Sequence, residues 1–245
     1  MPGAPGTPRT SPGPRRCSRT SLWTWDSSTS RRSVGDAIVL GYSLERIAYL
    51  HAVRGNPDEA ERVLDEAHPI LDENPEPWLQ GWAPLIAGHI AQGRGRDDDA
   101  AEILANGARP LLDQILVWGG RHLLIECVRG LVRVGRVDEA RTFRDRLETL
   151  AVSSVPARAM LAWADGLLEP DPAAARDVLL EAVARLEELE NRIELGRCLI
   201  DLADADRRLG DDPAATAARA REILESCGAH LFLRELSTLS LETAD

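Results

Sequence analysis

Lysine is missing from this chain: all 29 basic residues among its 245 are arginine. That absence excludes a phosphate-binding loop ending in Gly-Lys-Ser/Thr and any Schiff-base lysine, and with them kinases and cofactor enzymes that depend on one. Aromatic residues are scarce at 4%, while the 44% apolar share is mostly Ala and Leu. This balance favours close-packed helices over strands, which lean on Val, Ile, Tyr and Phe. Cysteine is confined to Cys17, Cys127, Cys198 and Cys227, with no C-x-x-C pair, so a disulfide framework is not indicated. Scattered structural thiols point to a reducing, cytoplasmic compartment. No stretch approaches the roughly 18 consecutive apolar residues of a membrane span, and no apolar segment follows Arg15-Arg16 as an export signal would require. Neither a Gly-x-Ser-x-Gly element nor a Gly-rich nucleotide loop is present.

Charge is distributed unevenly. Residues 1–35 carry six Arg against Asp26, a balance of +5, and the remainder carries 23 Arg against 39 acids, a balance of −16, which together give the net −11. So acidic a body would be repelled by nucleic-acid backbones, and nucleic acid is not an expected partner. Residues 1–33 are Pro, Gly, Ser, Thr and Arg without periodicity, too poor in apolar surface to offset their conformational entropy. They are expected to form a disordered head preceding one repeat domain over 34–241.

A short phrase then recurs. Gly55-Asn56-Pro57-Asp58-Glu59-Ala60 returns as Gly95-Arg96-Asp97-Asp98-Asp99-Ala100 and as Gly135-Arg136-Val137-Asp138-Glu139-Ala140, each 40 residues on, with a later echo at Gly210-Asp211-Asp212-Pro213-Ala214-Ala215. Glycine tolerates the left-handed conformation that ends a helix, and the acids after it suit the positive end of the next helix dipole. Leu168-Glu169-Pro170-Asp171-Pro172 performs the same stop and restart with prolines. The period predicts five helix pairs: 36–54 with 57–74, 77–93 with 97–113, 115–134 with 137–151, 156–168 with 172–190, and 192–209 with 213–227. A capping helix is expected over 229–241. The fold class is all-α, an array of stacked helix pairs.

With the junctions in register, the helix before each one places Leu44, Ile47, Ala48 and His51, or Leu199, Leu202, Ala203 and Asp206, on one face, expected to be the core. Small residues such as Ala48, Gly88 and Ala203 would let two helices cross closely. This arrangement resembles the tetratricopeptide repeat over residues 36 to about 228, with a period of 35–40 instead of 34 and with Arg144, Arg219 and Glu222 where that pattern has apolar residues. The resemblance implies a right-handed α-solenoid of about five antiparallel helix pairs whose first helices line a concave groove. The segments Leu179-Leu180-Glu181-Ala182, Leu195 to Ala203 and Arg221 to Ala229 look like the C-terminal region of actinobacterial multidomain signalling ATPases, either nucleotide cyclases or LuxR-type regulators. That second likeness implies a regulatory end without its output domain.

On the groove face the candidate partner-binding residues are Tyr42, Glu45, Tyr49, Trp82, His89, Gln92, His122, Arg129, Arg197, Asp204 and Arg207. Tyr, Trp, His and Arg are the types favoured at binding hot spots, and Glu45, opposite the core, is expected to be dispensable for packing. The five histidines lack the spacing of a metal site, although stacking would bring His89 and His122 near each other. Asp97-Asp98-Asp99 reads as an acidic helix start, and Glu187-Glu188 and Asp204/Asp206 as solvated surface. No catalytic residue, metal or cofactor is expected. The reading is a non-catalytic interaction module for a protein or peptide segment; the alternative is the regulatory region of a cyclase or LuxR-type signalling protein.

Overall fold

The computed structural model describes residues 29–73, 81–113 and 120–241, so most of the expected head lies outside the described residues. All regular structure among the described residues is helical: α1 (Thr29–Val53), α2 (Pro57–Glu73), α3 (Trp82–Gly93), α4 (Asp97–Ala108), α5 (Gly120–Arg133), α6 (Val137–Ala151), α7 (Val155–Leu168), α8 (Pro172–Glu188), α9 (Arg192–Leu209), α10 (Ala214–Cys227) and α11 (His230–Leu241). Each helix packs on the next, and α1–α3–α5–α7 also touch in succession.

The junctions work as their chemistry dictates. Gly55, Gly95, Gly135 and Gly210 have φ between +70° and +82°. In each, the following amide donates back into the helix it ends: Asn56 N to His51 O at 2.9 Å, Arg96 N to Ala91 O at 3.0 Å, Arg136 N to Leu131 O at 2.8 Å and Asp211 N to Asp206 O at 3.0 Å. These are six-to-one helix stops that need a left-handed residue. At the proline junction, Asp171 accepts from Ala174 N at 3.2 Å and caps α8. Asp97, Asp98 and Asp99 occupy the first turn of α4, the role expected of them.

Five residues after their junctions, Ala60, Ala100, Ala140 and Ala175 are buried at 0–1% exposure. The fifth pair departs from this register. Asp212 takes the amide of Ala214 at 2.9 Å and α10 starts four residues after its glycine instead of two. Ala215 is consequently exposed and Ala220 is buried in its stead.

Within pairs, missing side chains set the distance of approach. A Cβ at Gly88 would stand 2.5 Å from Leu104, at Gly166 2.7 Å from Leu179, and at Gly196 2.8 Å from Leu224. Two of the three polar departures from the repeat pattern find partners, Arg144 reaching Asp165 of α7 at 2.6 Å and Arg219 pairing with Glu187, and Glu222 is exposed. Asp206 is not solvated surface, because it lies buried where Arg176 (2.7 Å) and Thr216 (2.9 Å) donate to it.

The outer side of α1 corrects another expectation. Ile47, placed on the core face by the alignment, is 43% exposed, and Val39, Leu40 and Leu50 are exposed with it. Helices α3, α5 and α9 each pack against the second helix of the preceding pair; among the described residues α1 has no such neighbour.

Gly107 of α4 gives a test of this close packing. Its missing Cβ would lie 2.1 Å from Cβ of Pro84, a ring that cannot rotate away. Alanine is the better helix former by about 1 kcal/mol, yet Gly107→Ala is expected to destabilise the chain by about 1–3 kcal/mol through overpacking. Urea denaturation measures the difference; a stabilised variant would show that α3 and α4 can separate freely.

Candidate functional site

The candidate residues converge, but on one another. Alternate helices α1, α3, α5 and α9 turn one face toward a common seam, and side chains a turn apart build it in tiers. In the first tier Arg46 of α1 stacks on Trp82 of α3, Trp82 lies 5.7 Å from the His122 ring of α5, and His122 Nδ1 is 3.0 Å from Glu194 of α9. In the second, Tyr49 is 5.8 Å from His89, His89 Nε2 is 3.6 Å from Glu126, and Arg197 grips Glu126 with both terminal nitrogens. In the third, Arg129 donates to both oxygens of Asp201 at 2.8 and 2.9 Å, and Trp163 of α7 adds its indole N–H at 2.7 Å.

Helix α11 also packs against this seam. Phe232 sits 5.5 Å from the His89 ring and 4.0 Å from the Arg197 guanidinium. Glu235 accepts from Arg129 at 2.5 Å and from Arg133. Arg234 donates to the carbonyl of Gly93 at 3.1 Å, at the negative end of α3.

Of the sequence-derived candidates, Tyr49, Trp82, His89, His122, Arg129 and Arg197 share the seam. Tyr42 flanks it under Arg46 at 4.8 Å. Gln92, half-buried, lines a cavity of about 460 Å³ with Arg133, Leu231, Arg234 and Glu235. Asp204 and Arg207 pair with each other at 2.6 Å and border a second cavity of about 380 Å³ beside Arg129, Arg133 and Ile200. His89 and His122 occupy successive tiers with different partners. No group of three His, Cys, Asp or Glu able to hold a metal occurs among the described residues.

Glu45 corrects the expectation most clearly. It is 1% exposed, as are His89 and, at 2–3%, Arg129 and Arg197. The face opposite the first core is buried because the helices close on each other across it. Sequence reasoning missed Arg46, Glu126 and Asp201. All three stand nine residues before their junction glycines, and a charged residue recurring at that one position in the first, third and fifth pairs was the available signal. Phe232 and Glu235 carried no comparable mark, since helix α11 lies outside the period.

Protonation follows from this burial. Burial alone would raise the Glu126 carboxyl, but the Arg197 charge and hydrogen bonds outweigh it and hold Glu126 well below the usual carboxylate range. His89 is lowered, chiefly by burial, and is neutral at pH 7. Glu235 is brought down to about 2: burial opposes this, and Arg129 and Arg133 overcome it. Burial pushes the Cys127 and Cys198 thiols up, which leaves them protonated and poorly nucleophilic. Glu45 has no such compensation, and burial raises it to about 7 against a weaker opposing effect of Arg46.

Several seam atoms are buried without a hydrogen-bond partner: Glu45 Oε2, both ring nitrogens of His89, Arg129 Nη1 and Arg197 Nε. Each such atom costs about 1–3 kcal/mol of desolvation. No family model matches this chain, and no curated protein or solved structure matches it at a significant level. Nor is any helix among the described residues long and apolar enough to cross a membrane.

Glu45 sets a pH dependence with a definite sign. Its folded value of about 7 exceeds the ordinary 4.5, so between these pH values the folded chain keeps a proton that the unfolded chain has lost. Stability therefore falls as pH rises through that window and levels off above it. Glu45→Gln, which cannot ionise, is expected to be more stable than the parent at pH 8 by about 1–3 kcal/mol. The advantage should shrink toward pH 5, as followed by urea midpoints. A variant that is less stable at pH 8 would contradict the burial of this carboxyl.

Proposed function

We propose that the chain is a right-handed, tetratricopeptide-like α-solenoid of five antiparallel helix pairs that acts as a non-catalytic scaffold, holding a segment of another protein against the seam of its first helices. The repeated glycine junctions, the sequential packing and the burial of the small residue five positions after four of the junctions support the architecture. The single observation that carries the function is the composition and state of the seam. It gathers Tyr49, Trp82, His89, Arg129 and Arg197 in one place and leaves buried polar atoms there unsatisfied. Aromatic and arginine side chains are the usual anchors of protein interfaces. The ionisable groups are locked in mutual pairs or neutralised by burial, an arrangement suited to holding a ligand more than to exchanging protons with one.

A photo-crosslinking amino acid at Gln92, beside the cavity at the mouth of the seam, tests this against the same group at Asp65, exposed on the outer side of α2. In extracts of the native cell, Gln92 is expected to capture a protein partner and Asp65 none. Capture from Asp65 alone, or from neither position, would contradict the proposal.

A further inference from the structure

The chain already contains an example of what the seam accepts. We propose that α11 is an in-cis occupant of the binding seam, and that the external partner is a helix presenting the same chemistry: an aromatic residue, a carboxylate three positions later, and a leucine next to it. This inference rests on the scaffold reading above and specifies its partner and regulation.

Three observations carry it. The contacts of α11 are made chiefly by residues on one face: Phe232 is 1% exposed between His89 and Arg197, Leu236 is fully buried, and Glu235 lies between Arg129 and Arg133. The carboxylate has a specific place: Glu235 accepts from the buried Arg129 at 2.5 Å, alongside Asp201, and from the more exposed Arg133. An apolar residue there would take an acceptor from a buried guanidinium, so the seam favours an acid at this position. Third, α11 packs on the first two junctions: His230 lies in ordinary contact range of Gly55, 3.5 Å from where a Cβ would stand, and Arg234 donates to the carbonyl of Gly93 at 3.1 Å.

The attachment is the sparsest among the described helices: α11 follows α10 through Gly228, at φ +65°, and Ala229, packs least on its neighbours and holds α5 through Glu235 alone, whereas α5 and α9 are joined to each other by two buried ion pairs. A tethered occupant competes at high effective concentration, and the apparent affinity for an external helix falls by the fraction of time the seat is filled. α11 thus sets a threshold: only a partner that matches the aromatic and the acid displaces it.

The test uses the full-length chain and a fluorescein-labelled peptide with the sequence of residues 229–241. The chain carrying Phe232→Ala and Glu235→Gln is expected to bind this peptide at least tenfold more tightly than the parent chain. The same peptide carrying those two substitutions is expected to lose at least tenfold on the variant chain. In the unaltered protein, hydrogen exchange is expected to be at least tenfold faster in α11 than in α9. Equal binding by parent and variant chains, equal binding of the two peptides, or exchange of α11 in step with α9 would each overturn the proposal. The exchange measurement needs no variant to fold. If α11 exchanges with the core while Gln92 still crosslinks a partner, the scaffold reading stands and the in-cis occupant falls.

Discussion

The Arg197–Glu126 pair ties together two helices that begin 72 residues apart in the chain, α5 and α9, and the rest of the interior is arranged around it. Both partners are almost wholly buried. A buried ion pair loses much of its attraction to desolvation, so it adds little to stability compared with a well-packed apolar pair. Its contribution lies in selectivity: once one partner is buried, the other must be opposite it. That requirement fixes which face of α9 meets α5 and at what height, and the parallel contacts His122–Glu194 and Arg129–Asp201 follow one turn below and above. Helix pairs stacked only through neighbours have no such constraint and are free to flex.

Closing the seam has a second consequence. It draws polar groups from α1 and α3 into the interior that the central pair does not satisfy, among them Glu45 and His89. A raised Glu45 and a lowered His89 are the electrostatic expression of that shortfall: burial has removed water, and the opposite charge nearby, Arg46 for Glu45 and Glu126 for His89, is too weakly coupled to outweigh it. Where opposite charge is closely paired, at the buried Glu126 and the half-buried Glu235, the carboxyls stay ionised. The seam is thus strongly held near α5 and α9 and weakly satisfied toward α1, and α11 enters between the two.

Much of the fold was legible because it is written locally. Junction glycines need a left-handed backbone whatever surrounds them, and alanine at the fifth following position reports a helix crossing within the same pair. The candidate residues were found by the same local periodicity, which placed Trp82, His89, Arg129 and Arg197 on one side of their helices. What that side faces was not legible. Whether it opens to solvent or closes on itself depends on curvature accumulated over several helix pairs, and the contacts that decide it span 71 residues for Arg197–Glu126 and 106 for Arg129–Glu235. Glu45 was therefore read as exposed and is buried, while Ile47 was read as core and is 43% exposed. The slipped register of α10 was hidden for a different reason: Asp212 and Pro213 imitate the junction phrase while moving the helix start by two residues.

A double-mutant cycle between Glu126 and Arg197 tests the closed seam most directly. Removing either charge alone, as Glu126→Gln or Arg197→Met, should cost about 3–5 kcal/mol by stranding the other in the interior. Removing both should cost less than the sum, with a coupling energy of about 2 kcal/mol or more by urea denaturation. Coupling below about 0.5 kcal/mol, the level seen for residues that do not touch, would mean that α5 and α9 do not meet across the interior and that the seam is open.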